Sequence, residues 1–250
     1  MIFLLIFSDI AFNYALKIFF INALFFEILN TTALNYLSLI SAFVPLTLGL
    51  IFFKSLDSNS RSMVVLLIFA SMSSLAGHTL IIENQVWFFF NSYCLLDSII
   101  WGYIFYRNSK NKTIRTTIII FLLSEVFLAS YLFYSIGIRS RFFTELVCLN
   151  SLLELLWVLS FFYERYKKDE ILALEKEPMF WYCLGILVYA PTTYFLFVFY
   201  DTIMNSDSYK HLWTIHYLLN SLMYLIFSIG ILTNILRTSK LSNAFSGYKS

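Results

Sequence analysis

Seven apolar stretches follow one another along the chain, at residues 34–54, 63–83, 86–107, 115–136, 142–165, 179–201 and 211–236, with mostly short polar breaks between them. Each is about 20 residues long, the length an α-helix rising ~1.5 Å per residue needs to cross a hydrocarbon core of about 30 Å. Inside lipid there is no water to satisfy backbone N–H and C=O groups, so each stretch must satisfy its own as a helix. The composition agrees: 60% of the 250 residues are hydrophobic and 13% are charged, where a soluble domain carries roughly a quarter charged residues. The expected fold is an all-α integral membrane protein, a seven-transmembrane-helix bundle over 34–237 with its N-terminus out and its C-terminus in. The three parts are an N-terminal segment (1–29), the bundle, and a short cytoplasmic tail (238–250).

Residues 1–29 are apolar but interrupted by Asp9, Lys17 and Glu27, and they lack the basic start and small-residue cleavage site of a signal peptide. They are expected as an additional helix, interfacial or an eighth span. Pro45 and Pro191 fall inside the first and sixth spans, where each withdraws a backbone donor. Pro178 opens the sixth, where the missing N–H costs nothing. Trp87, Trp181 and Trp213 lie near span ends, as an interfacial belt requires. The first, third and fifth connections and the tail carry Lys54, Arg61, Arg107, Lys110, Lys112, Arg115, Arg165, Lys167, Lys168, Lys176, Arg237, Lys240 and Lys249, against Arg139, Arg141 and Lys210 on the other side. The positive-inside rule then orients the bundle and predicts a multi-pass protein of the inner, cytoplasmic membrane.

Ionisable side chains within the membrane are expensive and face protein or water. The fifth span carries Glu154 near its middle; Asp97 in span three and Glu125 in span four, a candidate peripheral helix, lie at similar depth. His78 and His216 sit nearer the outer ends of spans two and seven. Helical spacing puts Asn150, Glu154 and Trp157 on one face, Cys94, Asp97 and Trp101 on another, and Trp213, His216, Asn220 and Tyr224 on a third. Ser71, Ser74 and His78 form a fourth stripe. Turned inward, these stripes make a pocket with a polar floor, reached from outside. Asp97 close to Glu154 would keep at least one carboxyl protonated, because like charges in a low dielectric resist double ionisation. Each of these residues also has a plainer reading as a polar contact between helices. Cys94, Cys148 and Cys183 read as small buried hydrophobes, with no disulfide framework or metal pair.

Several chemistries are excluded. Span seven has no Lys for a retinal Schiff base, and neither an E/DRY-like triplet after span three nor NPxxY in span seven is present. No phosphate-cradling glycine loop and no nucleophile elbow occur, and nothing points to a nucleic acid. A transporter would show an internal repeat, and spans 1–3 and 5–7 share only loose apolar patterning. A purely structural membrane subunit is a further alternative. Ser74, His78, Asp97, His211 and His216 resemble in part the SxxxH, Asp and HxxxH signature of seven-span zinc hydrolases of the alkaline ceramidase and progestin-receptor-like superfamily. That resemblance would make His78, His211 and His216 an alternative metal set with an open position for water. The last pair is spaced HxxxxH, however, about 140° apart around a helix instead of on one face.

A second resemblance covers most of 34–237. Pro178-Met179-Phe180-Trp181, Leu184-Gly185-Ile186-Leu187-Val188-Tyr189 and Phe195-Leu196-Phe197 resemble a recurrent pattern in uncharacterised seven-span proteins of Bacteroidetes. Leu153-Glu154-Leu155-Leu156 with Ser160-Phe161-Phe162-Tyr163 fits its fifth span, and Leu212-Trp213-Thr214-Ile215-His216-Tyr217-Leu218-Leu219-Asn220 its last. Those proteins are similar to membrane sensor regions of histidine kinases. The resemblance implies a sensor or receptor-like module. Its pocket would bind a small ligand, lipid or proton through Asp97, Glu154, His216, Asn220, Asn150, Trp101, His78 and Glu125, without a cofactor. Only residues 238–250 follow Arg237, so a histidine kinase or other signalling protein is expected as a separate cytoplasmic partner. The two-signed stretch 164–177 reads as a solvated helix end or as its docking site.

Overall fold

The computed structural model describes residues 31–80, 83–167, 174–205 and 212–246. The expected N-terminal helix over 1–29 and the candidate His211 lie outside them. The described residues form seven long helices: α1 (Thr31–Ile51), α2 (Ser58–Thr79), α3 (Glu83–Asn108), α4 (Lys112–Ser135), α5 (Thr144–Tyr166), α6 (Pro178–Val198) and α7 (Leu212–Ser246). All seven are long and apolar enough to cross a membrane. The protein is therefore an all-helical, multi-pass membrane protein. Short 3₁₀ turns at Phe53–Ser55 and Leu174–Lys176 and a five-residue helix, Tyr200–Met204, belong to the connections.

Local chemistry sets the helix ends. Asp57 caps α2 by accepting from the Ser60 amide at 2.8 Å, so this helix starts five residues before the expected 63, drawing Ser58, Asn59 and Arg61 into its first turn. Asn111 caps α4 in the same way through Thr113 N, and Pro178 opens α6 at its first turn. The connection between α4 and α5 turns at Gly137, whose φ of 91° favours a residue without Cβ. The largest departure is at the other end. α7 continues to Ser246, so the expected tail at 238–250 begins as helix. Its 35 residues give a rod of about 50 Å, longer than the ~30 Å hydrocarbon core.

Six helices close a ring in the order α1, α2, α3, α5, α6, α7 and back to α1, while α4 packs outside against α3 and α5. α4 is the least buried of the seven. The α6–α7 contact is made by small residues facing rings: a Cβ on Gly185 would lie 2.6 Å from Phe227, and one on Gly230 would lie 2.5 Å from Tyr182 and 3.2 Å from the Pro178 carbonyl. Such close backbone approach suits lipid, where helix association depends on packing instead of water exclusion. Tyr182 then reaches α2, its hydroxyl donating to Ser60 Oγ at 2.9 Å. At the same end Glu164 of α5 accepts from Ser109 Oγ at 2.7 Å and from the Asn111 amide at 3.1 Å, fixing the α3–α4 connection. Arg165 pairs with Glu177 at 3.0 Å. Glu164, Arg165 and Glu177, within the two-signed stretch, thus hold connections together.

Candidate functional site

Two cavities lie one above the other inside the ring. The larger, of about 360 Å³, lies toward the end of the bundle that carries the α2–α3, α4–α5 and α6–α7 connections. Its walls are mainly aromatic, including Trp87, Phe90, Tyr189, Phe197 and Trp213. Trp87 and Trp213, expected as belt residues, thus line this space. His216 stands among the rings of Trp213 at 5.2 Å, Tyr189 at 5.4 Å and Phe197 at 5.9 Å. Its Nδ1 is shielded and has no hydrogen-bond partner among the described residues. Ser73, which is 3% exposed, lines the same cavity with an equally unpartnered hydroxyl. Asn220 lines it too, its amide donating to Ser38 Oγ at 2.7 Å. His78 borders the cavity from the exposed end of α2, its ring edge-on to Tyr36 at 5.8 Å.

The smaller cavity, of about 80 Å³, is lined by Asp97, Asn150, Glu154 and Trp101. The two cavities adjoin, sharing Tyr93, Cys94, Tyr189 and Tyr224 as common walls. The stripes read from the sequence are therefore divided by depth. His216, Asn220 and His78 belong to the aromatic space, and the carboxyls of α3 and α5 lie beneath a layer of tyrosines. Ser71 is buried behind the wall. Glu125 lines neither cavity; from the peripheral α4 it points into the bundle, 1% exposed, and meets Ser98.

These polar groups form one chain of hydrogen bonds. Ser98 Oγ lies 2.5 Å from Glu125 Oε1 and 2.5 Å from Asn150 Oδ1. Asn150 Nδ2 donates to Asp97 Oδ2 at 2.6 Å, and the Tyr93 hydroxyl donates to Asp97 Oδ1 at 3.3 Å. Glu154 lines the same small cavity as Asp97 and Asn150. Counting donors fixes the protons. A hydroxyl has one proton, so Ser98 donates to one neighbour and accepts from the other. The amide oxygen of Asn150 has no proton to give, so Glu125 donates and is protonated. Asp97 and Glu154 share one small cavity, and two carboxyls in a low dielectric resist double ionisation, so the pair keeps a second proton. Turning the Asn150 amide over would instead put a proton on Asp97 and let Ser98 donate to Glu125. With the amide oriented as it is, the three carboxyls hold at least two protons and at most one negative charge. Glu125 Oε2 has no partner among the described residues, and an unsolvated carboxylate oxygen costs far more than the carbonyl of a neutral acid. A negative charge therefore belongs on the Asp97–Glu154 pair, where Asn150 and Tyr93 donate.

Below the pair the bundle is closed. Trp101 packs at a tilt against Phe105 and Phe227 at 5.9 Å each, and Phe105 against Trp157 at 6.0 Å. Trp101 and Trp157 are each 2% exposed. Above, the α4–α5 connection is tied down by Asn91, whose amide donates to the carbonyls of Ile138 and Arg141 at 2.8 Å and accepts from the Phe143 amide at 3.0 Å. Asn91, Tyr93 and Ser98 escaped the sequence reading. Asn91 and Ser98 lie seven residues apart, two helical turns on one face of α3, which was the available signal. Ser73 stood one residue from Ser74 in a run of serines with nothing to single it out.

Among the described residues, no three His, Cys, Asp or Glu side chains gather as metal ligands would, and Asp97 and His216 line different cavities. Among the described residues, no Lys or Arg lines either cavity. Compared with protein-family models, curated proteins and solved structures, the chain matches none.

Proposed function

We propose that this protein is a membrane sensor or receptor-like module. A small ligand enters the larger cavity, and its occupancy is passed along α6 and α7 to a separate protein at the opposite end of the bundle. The carrying observation is that the polar path ends blind: an aromatic space leads to a charged floor, and the Trp101–Phe105–Phe227–Trp157 cluster closes it. A space of about 360 Å³ falls within the range of small-molecule sites, roughly 300–1,000 Å³. A transporter needs access from both sides in turn, whereas a receptor needs a dead end and a moving part. Pro191 removes the donor that would meet the Leu187 carbonyl, weakening α6 close to Tyr189 and Thr193 at the cavity wall. α7 carries Trp213 and His216 at one end and runs far beyond the apolar span at the other. The excess of Lys and Arg at that far end supports the inner membrane, with the cavity facing outward.

The test uses substituted cysteines in the full chain, with Cys94, Cys148 and Cys183 replaced by Ala. A membrane-impermeant thiol reagent labels Ser74→Cys from the outer face of sealed cells and leaves it unlabelled in inverted vesicles. Labelling from both faces would mean a through-path and would sink the receptor reading in favour of transport.

A further inference from the structure

We propose that the ligand of this site is a small organic cation, a protonated amine with an apolar body. Its ammonium end would meet the Asp97–Glu154 pair in the smaller cavity, and its body would rest among the aromatic walls of the larger one. The inference rests on the reading of the cavities as a ligand site and names what that site takes.

Three observations carry it. The carboxyls of Asp97 and Glu154 line the smaller cavity, and the hydrogen-bond chain that reaches Asp97 from Glu125 leaves these two as the place for a negative charge. No Lys or Arg among the described residues lines either cavity to balance that charge, and an uncompensated charge within the membrane is costly. Directly above, the walls are rings whose π faces attract cations, most strongly where water is excluded. The space also fits the two ends of such a molecule. About 80 Å³ beside the carboxyls accommodates an ammonium group, comparable to a water at about 30 Å³. The larger cavity adjoins it through Tyr93, Tyr189 and Tyr224.

Independent of the carboxyls, two polar atoms await a partner in the larger cavity. They are the hydroxyl of Ser73, 3% exposed, and Nδ1 of His216. A buried polar group left unpaired is destabilising, and a hydroxyl or carbonyl on the ligand body would satisfy it. Among the described residues, the other titratable groups lining the smaller cavity are Tyr93 and Cys94 from α3, Tyr189 from α6 and Tyr224 from α7, none of which is a cation.

The experiment titrates the full chain in nanodiscs at neutral pH with three probes of one shape: 2-phenylethylamine, 2-phenylethanol and phenylacetate. Binding is read by calorimetry and by tryptophan fluorescence. The amine is expected to bind at least tenfold tighter than the alcohol, and phenylacetate weakest. In Asp97→Asn, and in Asp97→Asn with Glu154→Gln, that preference falls to about onefold while the alcohol binds as before. Thermal unfolding of both variants verifies that they fold. Equal affinity for amine and alcohol, or a preference that survives both variants, would overturn the cation and leave the ligand cavity standing. Competition by sodium chloride at concentrations where choline chloride is inert would assign an inorganic cation to the carboxyls and overturn the organic one. No saturable binding by any probe would remove both readings.

Discussion

Two helix contacts in this bundle do the same mechanical work with opposite chemistry. α6 and α7 meet through Gly185 and Gly230 against Phe227 and Tyr182. α3, α4 and α5 meet through Ser98, Glu125, Asn150, Asp97 and Glu154. The first contact is what a lipid-embedded bundle needs, since small residues let backbones approach and dispersion holds them. The second far exceeds that need. A single interhelical hydrogen bond in a membrane contributes on average about 0.6 kcal/mol, and one serine–asparagine pair would supply it. Three buried carboxyls at one depth are more than packing requires, so the polar contact is where function should be sought.

The largest effect is expected at the apolar contact. A Cβ at Gly230 meets the Pro178 carbonyl as well as the Tyr182 ring, and a backbone atom cannot step aside. Gly230→Leu should cost about 3 kcal/mol or more through overpacking, read as a lower unfolding temperature and loss of folded protein in detergent. Gly185→Ala meets only side chains, Phe227 and Met223, and should cost less. Equal losses would mean that the two glycines are not distinguished by backbone contact.

Asn150→Leu comes next. It takes the partner from Ser98 and Asp97 together, and each orphaned group costs about 1–3 kcal/mol. A loss near 2 kcal/mol is expected. A loss near the membrane average of about 0.6 kcal/mol would reduce the network to ordinary glue. Asn91→Ala should follow at about 1–2 kcal/mol, since its three hydrogen bonds hold a connection and not the bundle. Its signature is proteolysis at the α4–α5 turn before global unfolding.

How far the sequence carried these conclusions differs between the two contacts. The apolar runs located all seven helices, because length and hydropathy are properties of each segment alone. They missed the α7 extension, where polar residues continue the helix past the apolar span, and the start of α2, although Asp57 with Ser60 is a recognisable cap. Asp97, Asn150 and Glu154 stood out because charge and amides in an apolar run are conspicuous. Ser98 and Tyr93 did not, since a serine or tyrosine in a span gains a role only from partners on other helices. Ser98 meets residues 27 and 52 positions away. The separation of His216 from the carboxyls by a tyrosine layer was illegible for the same reason. Depth along one helix was readable, but the ring order that sets which faces meet was not. α4 packs at the periphery, yet its one buried carboxyl faces inward, a fact of rotation that an apolar helix does not write into its sequence.

Glu125→Gln should have the smallest effect on stability and is the most informative about charge. A primary amide matches a neutral carboxylic acid in shape and can donate to Ser98 Oγ as the acid proton does, so the change should cost less than about 0.5 kcal/mol if Glu125 is already neutral. Stability alone does not settle the point, because the amide oxygen could also accept from Ser98. The infrared carbonyl stretch of protonated carboxyls does. Wild type should show a buried, slowly exchanging band equivalent to two protonated carboxyls, and Glu125→Gln should remove one of them. A band that survives the substitution would place the negative charge on Glu125 and leave the Asp97–Glu154 pair neutral. The polar contact would then be a charge held by α4, away from both cavities, and the floor of the pocket would have no electrostatic hold on a ligand.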